Sequence, residues 1–220
     1  SRATLIIAVY KSIYDQFDEE NKKKIQIIYN QIPVNRGNIK RNYTSKKIFE
    51  LVTVGRLLKG KSPENIIRSI IDIKDIRLTI IGNGPIKRKL LFLIKYYKIQ
   101  NKVIFIDKLK NVQLIRTLKK FDAFICNTQY LEFPKTIIEA LLVGLPLIVN
   151  SGSRRIEEYK DLNIFWADDN ASSYKGIIKK VMINVKMREI FSKNNLNTSW
   201  KKFSESSRND KLINNFNKLL

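Results

Sequence analysis

Short, almost wholly apolar runs alternate with amphipathic stretches from Ile48 to Ala167. "IFELVTVG" (48–55), "RLTIIG" (77–82), "KVIFI" (102–106), "DAFICN" (122–127), "PLIVN" (146–150) and "NIFWA" (163–167) read as buried strands. The stretches between them predict helices over 62–73, 86–99, 111–121 and 134–143, and a short helix around 155–159. In the first, Ser62 is the expected N-cap, Pro63 suits the first turn, and Ile66, Ile67, Ile70 and Ile71 share a face. In the third, Leu114, Ile115 and Leu118 face inward, with Val112 one turn before Ile115. Strands that are apolar along their whole length are expected where both faces of a sheet are covered. Repeated strand–helix alternation with right-handed crossovers gives an α/β fold, a Rossmann-like doubly wound parallel sheet. Ligands of such sheets bind beyond the carboxyl ends of the strands.

The flanks differ. "TLIIAVY", a charged helix-like segment and "KIQIIYNQIP" suggest a strand–helix–strand piece, followed by the basic linker "VNRGNIKRNYTSKK". From Asn170 onward the chain reads as helices with polar connections. The expected organisation is an N-terminal remnant and linker over 1–45, a sheet domain over 46–197 and a C-terminal helix over 198–220.

Composition narrows the chemistry. Hydrophobic residues make up 44% of the 220, ample for a core. There is no histidine and one cysteine, Cys126, which excludes Ser-His-Asp and Cys-His mechanisms and the usual metal sites. No cofactor or metal is expected. The net charge of +22 attracts anions, whether nucleic acid, anionic lipid or phosphorylated ligands. Compositional bias toward Ile, Lys and Asn would leave the same charge, so charge alone does not choose. No G-x-G-x-x-G or Walker motif occurs, and no apolar run has the length of a membrane span. The chain opens on Ser1, as expected of a processed chain or of part of a longer one.

Three stretches carry candidate chemistry. Arg56 closes the first core strand and Lys61 precedes a helix start, a sensible diphosphate site; the alternative is two more surface cations. The glycines of "IGNGP" (81–85) permit a close approach to a ligand or simply a tight turn. In "EFPKTIIEA" (132–140), Lys135 and the amides near Thr136 and Ile137 can receive a phosphate at a helix start. Glu139 lies within reach of ribose hydroxyls there. Its apolar neighbours mean that its carboxylate needs a partner; otherwise it serves the helix dipole. Glu132 either holds a ligand or is a loop charge.

"VGRLLKGKSPENIIRSI", "LTIIGNGP", "VIFIDKL", "FDAFICNTQYLEFPKTIIEALLVGLPLIV" and "RRIEEY" occur in order and at suitable intervals. Together they resemble the C-terminal, nucleotide-sugar-binding half of retaining glycosyltransferases of the GT-B fold, family 4. The resemblance covers Ile48 to Tyr159. "TSWKKF" (198–203) is similar to the family's closing helix region, and "KIQIIYNQIP" to the segment that leaves the N-terminal domain.

The resemblance implies that Arg56 and Lys61 contact the donor diphosphate, that Leu109 lies near the base, and that Glu139 binds the ribose. It implies that Lys135, Thr136 and Ile137 lie beneath the phosphates. Aligned on Phe133-Pro134, the family's first glutamate falls on Leu131, and Glu132 occupies the usual glycine position, an E-x6-E variant of E-x7-E. Either Glu132 takes over the catalytic place beside the transferred sugar, or that contribution is lost. Ser153-Arg154 replaces the Gly-Gly pair expected before Glu157.

The expected activity is that of the donor-binding portion of a hexosyltransferase-like glycosyltransferase. A sugar passes from a nucleoside diphosphate sugar to an acceptor hydroxyl with retention. The acceptor sugar or glycolipid is held by an N-terminal domain that this chain lacks. Expected surroundings are cytoplasmic, with peripheral attachment to an anionic membrane at its inner face. The alternatives are an inactive nucleotide-sugar-binding homologue and, less favoured for want of a binding motif, a basic nucleic-acid-binding protein.

Overall fold

The computed structural model describes residues 4–30, 32, 43, 47–130, 132–150, 156–204, 209 and 212–213. Near the start, β1 (Ile6–Ala8) and β2 (Ile25–Ile27) pair in parallel, joined by the short helices α1 (Lys11–Tyr14) and α2 (Glu19–Lys22). The main sheet holds β3 (Phe49–Val54), β4 (Ile76–Ile81), β5 (Val103–Ile106), β6 (Ala123–Cys126), β7 (Leu147–Asn150) and β8 (Ile164–Ala167). Its order is β5-β4-β3-β6-β7-β8, and every pairing is parallel. This is the doubly wound arrangement: the winding reverses between β3 and β6, opening a crevice at their carboxyl ends.

The continuous apolar runs have a two-faced explanation. Leu51, Ile80, Ala123, Ile125 and Ile148 point into one core, which also takes Ile66, Ile67, Leu90, Leu93 and Tyr174 from the helices. Their neighbours Val52, Ile81, Phe124, Cys126, Leu147 and Val149 point into the other, with Ile115, Ile138, Leu142 and Phe203. Side chains alternate along a strand, so each strand feeds two cores and has no position left for a polar face.

Helices α3 (Glu64–Ser69), α4 (Lys87–Tyr96), α5 (Asn111–Leu118) and α6 (Lys135–Leu142) fill the crossovers, and α7 (Ala171–Ile183) and α8 (Val185–Phe203) close the chain. A 3₁₀ turn at Glu157–Tyr159 stands where a short helix is expected. Helix α3 is shorter than its apolar pattern. Its N-cap is Pro63, not Ser62, although the Ser62 hydroxyl accepts from the Glu64 amide at 3.3 Å. It also ends early, because Lys102 Nζ reaches across from the head of β5 to the carbonyls of Ile71 (2.7 Å) and Ile73 (2.8 Å). A cation on the last free carbonyls offsets the loss of further helical bonds. Val112 is exposed, while Leu114, Ile115 and Leu118 are buried as expected. The expected boundary between 197 and 198 lies inside α8, which runs through it.

The glycines after β4 pack against the loop after β3. A Cβ on Gly82 would stand 1.9 Å from the Gly55 carbonyl oxygen, and one on Gly84 2.4 Å from that of Leu57. The two loops are also zipped by Leu57 N–H to the Asn83 carbonyl, 3.0 Å. The "GNG" stretch therefore braces the backbone that carries Arg56. Gly82→Ala should destabilise the protein by about 2–3 kcal/mol in chemical denaturation, whereas Gly55→Ala, with open space at its Cβ, should change stability little.

Candidate functional site

The crevice at the reversal of winding holds a cavity of about 330 Å³. Thr53 lines it from the end of β3, and Gly55, Arg56 and Lys61 from the loop that follows. Asn127, Thr128, Glu132 and Phe133 line it from the loop after β6, Lys135 and Thr136 from the start of α6, and Tyr10 and Asn30 from beyond β1 and β2. These segments meet because β3 and β6 are hydrogen-bonded neighbours, with Leu51 opposite Ala123 and Val52 opposite Phe124. Asp122 fixes that pairing: its carboxylate accepts from the Glu50 amide at 2.9 Å, and its own amide donates to the Glu50 carbonyl at 2.8 Å.

Glu132 is gripped on the cavity wall. Lys61 Nζ lies 2.7 Å from each of its carboxylate oxygens, and the Thr128 hydroxyl donates to Oε1 at 2.9 Å. Thr128 is itself held by reciprocal bonds with the Asn150 side chain, 2.9 and 2.8 Å. The ammonium of Lys61 also stands 5.5 Å from the centre of the Tyr130 ring. Gly60 admits that ring, since a Cβ there would meet it at 2.6 Å. Arg56 and Lys135 are exposed at the cavity. With Lys61 they set three cations against the single carboxylate of Glu132, an arrangement that suits a multiply charged anion.

Thr136 belongs to the cavity wall and Ile137 does not: its side chain is fully buried and its amide donates to the Pro134 carbonyl at 2.9 Å. Leu109 is half-buried against the core beneath α5 and α6. Leu131, Ser153, Arg154 and Arg155 lie outside the described residues.

Glu139 lies one turn into α6 and is only 3% exposed. Oε1 accepts from Asn111 Nδ2, at the start of α5, at 2.6 Å. Its other oxygen, Oε2, and Asn111 Oδ1 are buried acceptors with no hydrogen-bond partner. Both are acceptors left open for hydrogen-bond donors. Burial raises the Glu139 carboxyl to about 7, against the opposing effects of Lys135 and the Asn111 bond. Burial also pushes the Cys126 thiol at the cavity floor up to about 12, which disfavours its thiolate.

Tyr10, Asn30, Thr128 and Asn111 are the site residues that sequence reading misses. Tyr10 and Asn30 obey the carboxyl-end rule, but within a separate two-stranded sheet. Asn111 carries no local signal for a partner 28 residues away.

The folded state holds the Glu139 proton more tightly than the unfolded chain, whose glutamate has the ordinary value of 4.5. This contribution to stability is complete below that value and is lost as pH rises to about 7. Glu139→Gln should abolish the loss. The stability difference between the variant and the parent, followed by urea titration, should grow in the variant's favour across that window by up to about 3 kcal/mol.

The sequence profile of the family described as glycosyl transferases group 1 matches residues 35–198. A curated relative from Campylobacter jejuni, N-acetylgalactosamine-N,N'-diacetylbacillosaminyl-diphospho-undecaprenol 4-alpha-N-acetylgalactosaminyltransferase, is 28% identical over 188 residues, 83% of this chain and 51% of its own. N-acetyl-alpha-D-glucosaminyl L-malate synthase of Bacillus anthracis is 26% identical over 162 residues, 67% of this chain and 41% of its own. The chain thus spans about half the length of the curated relatives it matches. Among solved structures, Anabaena Alr3699/HepE in complex with UDP and glucose superimposes with a TM-score of 0.80 at 15% identity, covering 98% of this chain and 63% of that one. That likeness gives the fold, a parallel α/β sheet of the GT-B glycosyltransferases. The profile match takes in well over half of the residues, including the loops after β3 and β6 that line the cavity, and the chain belongs to the glycosyl transferases group 1 family.

Proposed function

We propose that this chain is the donor-binding portion of a retaining glycosyltransferase of family 4, passing a sugar from a nucleoside diphosphate sugar to an acceptor hydroxyl. The observation that carries the reading is the meeting of Arg56, Lys61, Lys135 and Thr136 around one cavity; Glu139 Oε2 and Asn111 Oδ1, buried and unpartnered, stand on α6 and α5 outside its lining. The cations and the start of α6 take the diphosphate, and the two acceptors take the ribose 2′- and 3′-hydroxyls. Leu109 lies beside the base, and Ile137 positions the start of α6 from the core. As the sugar departs, negative charge grows on the diphosphate, and prepositioned cations stabilise that charge more than they stabilise the bound ground state.

Glu132 is the carboxylate nearest the transferred sugar. In the structure its charge is neutralised by Lys61. An arriving diphosphate competes for the same ammonium, so donor binding loosens Glu132. The UDP complexes of Alr3699/HepE support this class of donor. The Campylobacter relative acts on an undecaprenol-linked acceptor, which supports a glycolipid acceptor and peripheral attachment at the inner face of the membrane. The acceptor is held by a further domain, and no bound cofactor is needed.

A second reading, donor binding without transfer, is favoured by one observation: Leu131 stands where the family has its first glutamate, and Glu132 is already tied to Lys61. With the acceptor-binding half supplied, transfer that falls at least tenfold in Glu132→Gln supports the enzyme. No transfer by the parent protein supports the second reading.

Calorimetric titration with UDP, GDP and ADP should give selective binding of one nucleotide, weakened roughly 10- to 100-fold by Arg56→Ala, the loss of a charge-assisted bond. The affinity should also rise with pH up to about 7, because the diol donates to ionised Glu139. In Glu139→Gln that Glu139-dependent part of the pH response should vanish. Binding indifferent to both substitutions would contradict the assignment.

A further inference from the structure

Residues 76–106 contain no aspartate or glutamate, but hold Lys87, Arg88, Lys89, Lys95 and Lys98. Most of these lie on α4, whose buried side is Leu90, Leu93 and Ile94. The opposite side carries large apolar groups: Leu91 is exposed, Phe92 is 70% exposed and Tyr96 68%. Phe92 and Tyr96 stack with ring centres 6.4 Å apart, making one aromatic ridge on successive turns. Lys87 and Lys89 are neutralised by Asp107 and Glu64. Arg88, Lys95 and Lys98, all exposed, have no carboxylate within ion-pair distance among the described residues. At 100° per residue Arg88, Phe92 and Lys95 point straight out, with Leu91 and Tyr96 on either side. An apolar and aromatic ridge set among unpaired cations is thus left uncovered by the described residues.

We propose that this face of α4 docks on an anionic lipid surface. Phe92 and Leu91 have no polar atom to justify their exposure to water, and a bilayer interface takes up such side chains together with tyrosine. The flanking cations meet anionic headgroups, each contributing roughly a fivefold gain in affinity near the surface. Nucleic acid fits less well, because Phe92 and Tyr96 stack on each other, Tyr97 packs edge-on against Tyr96, and the exposed Leu91 beside them offers no ring for a base. No helix among the described residues is long and apolar enough to cross a membrane. The proposal deepens the peripheral attachment offered above by naming the surface. Its test uses no nucleotide, so its failure and that of the donor site can be told apart.

The whole chain is sedimented with phosphatidylcholine vesicles, with and without phosphatidylglycerol. Binding should need the anionic lipid, and Arg88→Gln/Lys95→Gln should weaken it more than tenfold. Lys179→Gln/Lys180→Gln, an equal change of charge at exposed positions of α7, should weaken it less than threefold. The emission added by Phe92→Trp should shift to the blue and be quenched by brominated acyl chains. Phe92→Ser/Tyr96→Ser should abolish the binding that survives at high salt. These positions are exposed, so folding is spared and is verified by circular dichroism. Equal losses from both charge pairs, or a Phe92→Trp variant whose added emission vesicles leave unchanged, would overturn the proposal. So would a lipid-free dimer that Phe92→Ser dissociates, or RNA binding that depends on Phe92.

Discussion

The parallel pairing of β3 with β6 is the constraint on which the site depends. These strands are far apart in sequence yet adjacent in the middle of the sheet, and their crossovers leave toward opposite sides. The backbone beyond their ends must part, and the space it leaves is the cavity. Asp122 secures the pairing by bonding to the Glu50 amide and carbonyl where β6 begins. Tyr174 secures the far end from α7, its hydroxyl donating to the Cys126 carbonyl at 3.0 Å. The two loops that supply Arg56, Lys61, Glu132 and Lys135 are therefore held from below by the sheet. Gly82 and Gly84 hold the first of them from the side.

Electrostatics divides the site into two parts with different needs. Around Lys61 and Glu132 the charges are half-exposed and paired, so a ligand exchanges one ionic partner for another. Such an exchange costs less than stripping bare charges of water. Around Glu139 the environment is dry, and the missing partner is a donor rather than a charge. Burial there favours the protonated acid until hydroxyls arrive. A ligand with a phosphate end and a diol end satisfies both parts at once.

Much of the fold is legible in the chain because burial on both sheet faces writes each strand as an unbroken apolar run. The runs ending at Val54 and Cys126 thereby also mark the two loops of the site. The burial of Glu139 is readable for the same reason, since Ile137, Ile138, Ala140, Leu141 and Leu142 surround it with apolar positions. Its partner Asn111 is not readable, nor is the grip of Lys61 on Glu132, 71 residues away. Those contacts come from how helices and loops settle on the sheet, and no local spacing records them. The end of α3 is misread because its isoleucine pattern continues, while Lys102 of a later strand captures the carbonyls that would have extended it. Val112 is apolar yet exposed, a reminder that apolar residues need not be inside.

The central claim is that a nucleoside diphosphate spans the cavity at the reversal of winding and the buried acceptors beside it. A crystal structure of the chain with bound UDP tests this most directly. The account predicts phosphate oxygens within hydrogen-bond distance of Arg56 and Lys61, and ribose hydroxyls donating to Glu139 Oε2 and Asn111 Oδ1. A nucleotide seated instead in the neighbouring polar cavity beside Lys59, Lys89 and Asp169, with Glu139 Oε2 still unpartnered, would contradict it.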